Sequence, residues 1–473
     1  MSRMFSGTLL ALAFAVLLVP LAFYALPPIT QSLAGGGAQR AEVVPGHLQP
    51  PEVLTGSGPV TAPQAADPLP NPEQLGRLLD AELAIEGSGS FHAVVEDALT
   101  GTVLYDRGGA AGLAPASTLK ILTAAAAVSA MGAGTTFPTS ALEGDEPGTV
   151  ILRGGGDVLL TAGPSDPDSV AGRAGLTTLA EQTAAALRDT GTAGPVTVQV
   201  DDSLFTGAAL SDAWGEADIE AGEIAPVHAL AVSSAWQVEG SGPGPRVEDP
   251  ALSAGEAYRA ALEEALDGVE VRTTVERGTA PGDARTLAEV RSAPLADQVD
   301  YMLLTSDNYL AEVLGRLTAE ATDREPSFSG GIEAVRAEVG ALGVDTGSLV
   351  LGDTSGLSAE TSVSAQQLTE LMRILLTSPD PDLRSVTGGL PVAALSGTLA
   401  GRFDEAADAG AAGIVRAKTG TLFAVTALTG YATDADGRVL AFTFVADGLD
   451  GNTAAAREAV DSAAAVLAGC GCR

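Results

Sequence analysis

Ala114-Pro115-Ala116-Ser117-Thr118-Leu119-Lys120-Ile121-Leu122-Thr123-Ala124-Ala125-Ala126-Ala127-Val128 is the stretch on which the reading of the fold turns. Its apolar run meets no glycine before Gly132, which predicts a buried helix starting at or near Ser117. Positions i and i+3 share a helix face, so the Lys120 amine would lie beside the Ser117 hydroxyl. The N-terminus of the same helix favours developing negative charge. Lys120 is one of only two lysines in the chain, against 23 arginines, and the other opens Lys418-Thr419-Gly420. Arg cannot lose its proton in a protein, whereas a buried Lys shifts its pKa readily and can act as a base. A chain that keeps lysine only in these two motifs reads as an enzyme. The plainer alternative is a Ser/Lys pair on a surface helix and an ordinary lysine in a turn.

Composition bounds the rest. The 473 residues suggest two or three domains, and 46% hydrophobic with 18% charged residues is a globular balance. A formal net charge of −35 repels nucleic-acid phosphates and anionic lipid, so nucleic-acid binding is excluded as a partner class. The only cysteines, Cys470 and Cys472, cannot make a disulfide framework or a four-ligand zinc site, and they read as a frayed tail. His47, His92 and His228 fall in no metal-ligand or triad pattern, which leaves a Ser-His-Asp mechanism little to work with. At the N-terminus, Arg3 precedes an apolar run from about Leu9 to Leu26, and Ser32-Leu33-Ala34 offers a small-x-small cleavage site. Residues 1–34 are therefore a signal peptide or a membrane anchor, and the remainder is expected to be exported. Residues 35–72, rich in Gly, Pro, Ala and Gln, read as a linker.

Folded structure is expected from Pro72-Glu73, with a helix from Gln74 to about Ile85. A hairpin follows, with Phe91–Val95 and Thr102–Tyr105 flanking a turn at Asp97–Gly101. From about Phe137 to Ala293 the pattern changes to short strands, helices and Gly-rich turns. Strands are expected at Val150–Arg153, Val196–Asp201 and Val269–Val271, and helices at Leu176–Arg188 and Ala257–Leu266. Gly154-Gly155-Gly156 lacks the G-x-G-x-x-G spacing of a nucleotide site and reads as tight turns. Helical spacing resumes at Leu295, interrupted by Ser306-Asp307-Asn308. Ser306 and Asn308 are two apart, so only a break there lets both reach one cleft. Ser364 with Gln367 three residues on makes a capping box for a helix to Leu376. Phe423–Tyr431 and Val439–Val445 flank a turn at Asp434–Gly437, and a closing helix is expected over Ala454–Leu467.

Three motifs thus stand in order: Ser-x-x-Lys at 117–120, Ser-x-Asn at 306–308 and Lys-Thr-Gly at 418–420. The set is the signature of penicillin-binding proteins and serine β-lactamases. With Gly155-Gly156-Asp157, Asp201-Asp202-Ser203-Leu204-Phe205, Asn308-Tyr309-Leu310-Ala311-Glu312 and Asp353-Thr354-Ser355-Gly356-Leu357-Ser358, the chain resembles the class C low-molecular-mass D-alanyl-D-alanine carboxypeptidase/endopeptidases from about residue 73 to 468. The resemblance implies an α/β (α+β) fold: a transpeptidase/β-lactamase-like catalytic domain, an antiparallel sheet flanked by helices, over 73–136 and 294–473. A large α/β insertion would occupy 137–293. Thr354 stands where that group usually has Gly, so a changed loop conformation is expected, without loss of chemistry.

The resemblance also implies roles. Ser117 would attack the penultimate D-Ala carbonyl and form an acyl-enzyme, with Lys120 as general base. Ser306 would relay a proton to the leaving D-Ala, and Asn308 would orient Lys120 and the substrate amide. Lys418, keeping its charge, and Thr419 would bind the terminal carboxylate of a peptidoglycan stem peptide. Gly420 would let the strand approach the substrate, and the backbone N–H groups of Ser117 and Thr421 would form the oxyanion hole. β-Lactams would act as covalent inhibitors, and no metal or organic cofactor is needed. The alternatives are a β-lactamase, disfavoured by the insertion and the absence of a recognisable deacylating Glu, and a non-catalytic penicillin-binding cell-wall protein.

Overall fold

The computed structural model describes residues 68–472 except 192, 193, 241, 243, 406 and 407. The expected signal or anchor at 1–34 and nearly all of the 35–72 linker lie outside these residues. Among the described residues no helix is long and apolar enough to cross a membrane.

Helix α1 spans Pro72–Glu82, with proline at its first turn and the Asn71 side chain accepting from the Glu73 and Gln74 amides at 3.0 and 3.1 Å. Such a cap satisfies N–H groups that the helix itself leaves without partners. Strands β1 (Ser90–Asp97) and β2 (Val103–Arg107) form the expected antiparallel hairpin. Its turn is held by Asp97, which accepts from the Thr100 amide and hydroxyl and pairs with the guanidinium of Arg438, both side chains wholly buried. After β3 (Gly112–Leu113), Ala116–Leu119 makes one 3₁₀ turn before helix α2 (Lys120–Met131). Regular α-helix therefore begins at Lys120, and Ser117 sits on the tighter turn leading into it.

The middle of the chain builds a second sheet from β4 (Pro138–Glu143), β5 (Thr149–Gly154), β6 (Thr197–Asp201), β7 (Glu276–Arg277) and β8 (Thr286–Arg291). Their order is β7-β6-β5-β4-β8, with β5–β6–β7 parallel and β4 antiparallel to both neighbours. Helices α3 (Leu176–Asp189) and α4 (Pro250–Leu266) bury Leu179, Leu187, Tyr258 and Leu262 with Val150, Leu152, Val198 and Val200. The strand expected at Val269–Val271 does not form. Val271 makes a single bridge to Val196, and the chain then leaves the sheet with Arg272, Thr273 and Thr274 exposed. The glycines at 154–156 do serve a turn, Gly156 having φ +103°. From this region Trp214, Ile224, Val227 and Ala235 also enter the core formed by α2 and the helices that follow.

Those helices are α5 (Leu295–Thr305), α6 (Asn308–Ala321) and α7 (Phe328–Ala341). Strand β9 (Val363–Ser364) pairs with β3, and the capping box between Ser364 and Gln367 opens α8 (Ala365–Thr377), followed by α9 (Pro381–Gly388). Strands β10 (Arg416–Leu422), β11 (Val425–Thr433) and β12 (Val439–Asp447) complete an antiparallel sheet in the order β10-β11-β12-β1-β2. Side chains alternate across it: Leu440, Phe442 and Phe444 face α1 and the closing helix α10 (Thr453–Gly469), while Ala441 faces the helical core. The tail is not frayed. Cys470 and Cys472 are joined by a disulfide and buried, and the Cys472 carbonyl accepts from the Asn71 amide at 2.6 Å. Backbone pairing to the start of α1 holds what composition alone suggested would be loose.

Candidate active site

The three motifs converge where β10 passes the turn before α2. Ser117 is half-buried on that turn, preceded by Ala116 in the left-handed region at φ +48°. Such backbone is costly for a residue with a Cβ and persists only where its surroundings impose it. Two glycines do so. A Cβ on Gly420 would stand 2.7 Å from the Pro115 carbonyl, and one on Gly356, itself at φ +82°, would overlap the Ala116 carbonyl. Strand and loop thus close on the Ser117 turn from two sides, at distances only glycine tolerates.

Lys120 is wholly buried and its Nζ donates to three oxygens: Ser117 Oγ at 2.9 Å, Asn308 Oδ1 at 2.6 Å and the Ser355 carbonyl at 2.8 Å. Asn308 reaches it because the helix breaks where expected. Ser306 is left-handed at φ +62°, and Asp307 caps α6 by accepting from the Tyr309 and Leu310 amides. The other face of the Asn308 amide donates to the Glu223 carbonyl at 3.0 Å. Lys418, equally buried, donates to Ser306 Oγ and to the Thr419 carbonyl, each at 2.9 Å. Thr419 Oγ1 lies 2.7 Å from Thr398 Oγ1. Ser117, Lys120 and Asn308 are therefore one hydrogen-bonded group and Ser306, Lys418 and Thr419 a second, close enough for the two lysines to feel each other's charge, with Gly420 and Thr421 on the adjoining strand. A cavity of about 420 Å³ opens beside Ser306 and Asn308, walled by Glu223, Trp236, Arg246 and Tyr301.

The electrostatic settings of the two lysines differ. Burial lowers the Lys120 pKa to about 8, but the nearby carboxylates of Asp353, Asp307, Glu312 and Glu223 oppose that fall. Burial lowers Lys418 as well, and its neighbours Lys120 and Arg402 push in the same direction, taking it well below the usual lysine value. The protein's own charges thus act oppositely on the two lysines, carboxylates raising Lys120 and cations lowering Lys418. The physical reason is placement: the carboxylates cluster around Lys120, and two cations flank Lys418.

Several participants carried no motif. Ser355 contributes through its carbonyl, Glu223 and Thr398 come from distant segments, and Trp214 donates to buried Asp353 at 3.1 Å. The histidines stand outside the cluster: His92 faces the Gly108 carbonyl and His228 Nδ1 faces Asp202 at 2.8 Å. Among the described residues no group of His, Cys, Asp and Glu could hold a metal ion.

Comparison with known proteins agrees with this geometry. The profile of the D-Ala-D-Ala carboxypeptidase 3 (S13) family matches residues 75–239 and 235–468. The chain is 36% identical over 470 residues to the carboxypeptidase DacB of Mycolicibacterium smegmatis, covering 98% of each. It is 38% identical over 432 residues to a carboxypeptidase of Mycobacterium tuberculosis, covering 90% of this chain and 89% of that one. With the D-alanyl-D-alanine carboxypeptidase of an Actinomadura species it shares 30% over 498 residues, 88% of each. Among solved structures, penicillin-binding protein 4 of Haemophilus influenzae superposes with a TM-score of 0.63 at 23% identity, covering 78% of this chain and 92% of that one, and supports the fold. The chain belongs to the S13 family, the class C low-molecular-mass serine D-Ala-D-Ala carboxypeptidases.

Proposed function

We propose that Ser117 is the nucleophile of this carboxypeptidase and that Lys120 takes its proton, on the strength of the 2.9 Å contact between Lys120 Nζ and Ser117 Oγ. The terminal carboxylate of a peptidoglycan stem peptide binds Lys418 and Thr419. An anion there favours the charged form of Lys418, and the added positive charge next door lowers the proton affinity of Lys120. Substrate binding and activation of the base are thereby linked. The Ser117 hydroxyl oxygen bonds to the penultimate D-Ala carbonyl carbon as its proton passes to Lys120. The carbonyl oxygen becomes an anion facing the Ser117 and Thr421 amides, a contact worth about 3 kcal/mol per donor. Ser306, in contact with Lys418, relays the proton held by Lys120 to the leaving D-Ala nitrogen as the peptide C–N bond breaks, which restores the Ser306 hydroxyl and the neutral amine of Lys120. Water then hydrolyses the ester and releases the shortened peptide. Asn308 holds Lys120 through its oxygen; one Nδ2 hydrogen goes to the Glu223 carbonyl, and the other, held only by Glu223 Oε2 at 3.4 Å, can turn to a substrate carbonyl.

β-Lactams acylate Ser117 by the same route, in keeping with a Haemophilus influenzae relative solved in complex with a β-lactam. The apolar run at the N-terminus supports an exported location, secreted or anchored, with residues 137–293 as an accessory insertion. The test is covalent labelling: the chain from residue 35 onward, incubated with labelled penicillin, should take one label at Ser117, and Ser117→Ala none. Equal labelling of both, or none on either, would sink the reading. Release of D-Ala from a stem pentapeptide then establishes hydrolysis, and cross-linked muropeptides test the endopeptidase reaction.

A further inference from the structure

Behind the lysine lies a second carboxyl group that the reaction above does not use. Glu312 stands one turn after Asn308 on α6 and is 1% exposed. Its Oε1 accepts from the Thr354 amide at 3.0 Å, and its Oε2 lies 3.0 Å from Thr354 Oγ1. The same hydroxyl is 3.1 Å from the Ala311 carbonyl. A threonine hydroxyl carries one proton and cannot serve both oxygens. With Glu312 ionised, one of the two close O···O pairs would hold no hydrogen. With a proton on Oε2, both are filled: Glu312 donates to Thr354, and Thr354 donates to Ala311.

Neighbouring Asp353 is placed differently. It receives the Trp214 indole at 3.1 Å, the Ser355 hydroxyl at 3.0 Å, and the Gly356 and Ser358 amides at 2.8 and 2.7 Å. Four donors suit an anion, and two adjacent buried carboxyls do not readily both ionise. Burial, reinforced by Asp353 and only partly opposed by the Ser355 hydroxyl and the Thr354 hydroxyl and amide, pushes the Glu312 acid up to about 7. The charged groups about Glu312 are thus Asp353 on the loop, Lys120 on α2 and Arg316 one turn further along α6.

Thr354 is seated for this contact. Gly315, mid-helix in α6, leaves the space: a Cβ there would lie 2.6 Å from Thr354 Oγ1 and 2.7 Å from its Cγ2. The loop that Thr354 anchors is the one that holds the base. The Thr354 carbonyl accepts from Thr123 of α2 at 2.6 Å, and the next carbonyl, of Ser355, accepts from Lys120.

We propose that Glu312 is a positioning residue that works in its protonated form, clamping Thr354 so that the Ser355 carbonyl stays on Lys120 without setting another negative charge beside the base. An anion at Glu312 would favour the proton on Lys120 and oppose its role. This rests on Lys120 as the base.

Glu312→Gln separates the neutral clamp from a charged one, because the amide reproduces the pattern: its oxygen accepts from the Thr354 amide and its nitrogen donates to Thr354 Oγ1. Acylation by labelled penicillin would be followed against pH in the full chain. Glu312→Gln should keep the activity that Glu312→Ala loses, and should leave the midpoint of the profile in place, because the amide is as uncharged as the acid it replaces. Glu312→Ala, losing both hydrogen bonds, should fall at least about tenfold. Thr354→Val should fall similarly, with Thr354→Ser restoring the rate. The infrared spectrum at neutral pH should show a protonated carboxylic-acid band that Glu312→Gln removes. A Glu312→Gln variant as impaired as Glu312→Ala, a midpoint moved to lower pH, or no such band would overturn the proposal. A wild-type chain that takes no label would instead overturn Lys120 as base, while the infrared band would still decide the protonation of Glu312.

Discussion

The buried lysine beside Ser117 makes a quantitative statement about pH. With its pKa lowered to about 8, Lys120 is neutral in roughly one molecule in ten at pH 7, against about one in three thousand for an ordinary lysine. A carboxylate that fixes charge on Lys418 lowers the Lys120 value further, so the midpoint at saturating ligand should lie at or below about 8. The direction follows from the chemistry: the active form is the deprotonated amine, so the rate rises with pH and levels off above the midpoint. Between pH 7 and 9 the increase should be no more than about tenfold, whereas an unperturbed lysine would give about a hundredfold, still climbing. The assay is rapid mixing with saturating fluorescent penicillin at constant ionic strength from pH 6 to 9.5, quenched and read as covalent label. A rate that rises tenfold per pH step through 9.5 without bending would show that burial does not lower Lys120. A profile flat across the range would show that Lys120 is not the base.

Substitutions extend the same reasoning. Lys120→Arg should abolish acylation, because guanidinium keeps its proton, while Lys418→Arg should weaken it and leave residual labelling; equal, wild-type-like labelling of both would refute the division of roles. Gly356→Ala should cost at least about 1–3 kcal/mol in denaturant unfolding, from a positive φ and the clash with the Ala116 carbonyl, and should slow acylation. Arg438→Met leaves Asp97 buried without its partner and should cost about 3–5 kcal/mol, whereas Asp97→Leu combined with Arg438→Met should recover much of that loss; chemical denaturation of the single and double variants checks it.

What was legible in sequence was what is local. Ser117 and Lys120 are one turn apart, the Ser306–Asn308 break interrupts a helical period, and Ser364 with Gln367 is a self-contained cap. Each writes its signature within a few residues. The missing parts act at a distance. The Ser355 carbonyl and the Glu223 carbonyl hold the site through backbone atoms that any side chain would offer equally, so no residue type reveals them. The electrostatic setting of Lys120 and Lys418 depends on charged groups gathered from separate segments, which no spacing rule records. Val269–Val271 looked like a strand because its residues favour one, but the pairing stops at a single bridge to Val196, made through the Glu270 carbonyl and the Arg272 amide. The cysteine tail was judged by composition, and its order comes from pairing with Asn71 at the far end of the folded chain.

The register of the main sheet has a temporal consequence. Ser90 on β1 lies opposite Asp447 on β12, 357 positions later, and β1 has β12 and β2 as its two neighbours. A growing chain carries Ser117 and Lys120 early, yet β10 and the strands that hold it against their turn arrive last. Pairings this remote in sequence form slowly. The cluster around Ser117 therefore cannot assemble until the final hairpin has closed. Cleavage competence thus doubles as a record that the whole polypeptide has been made.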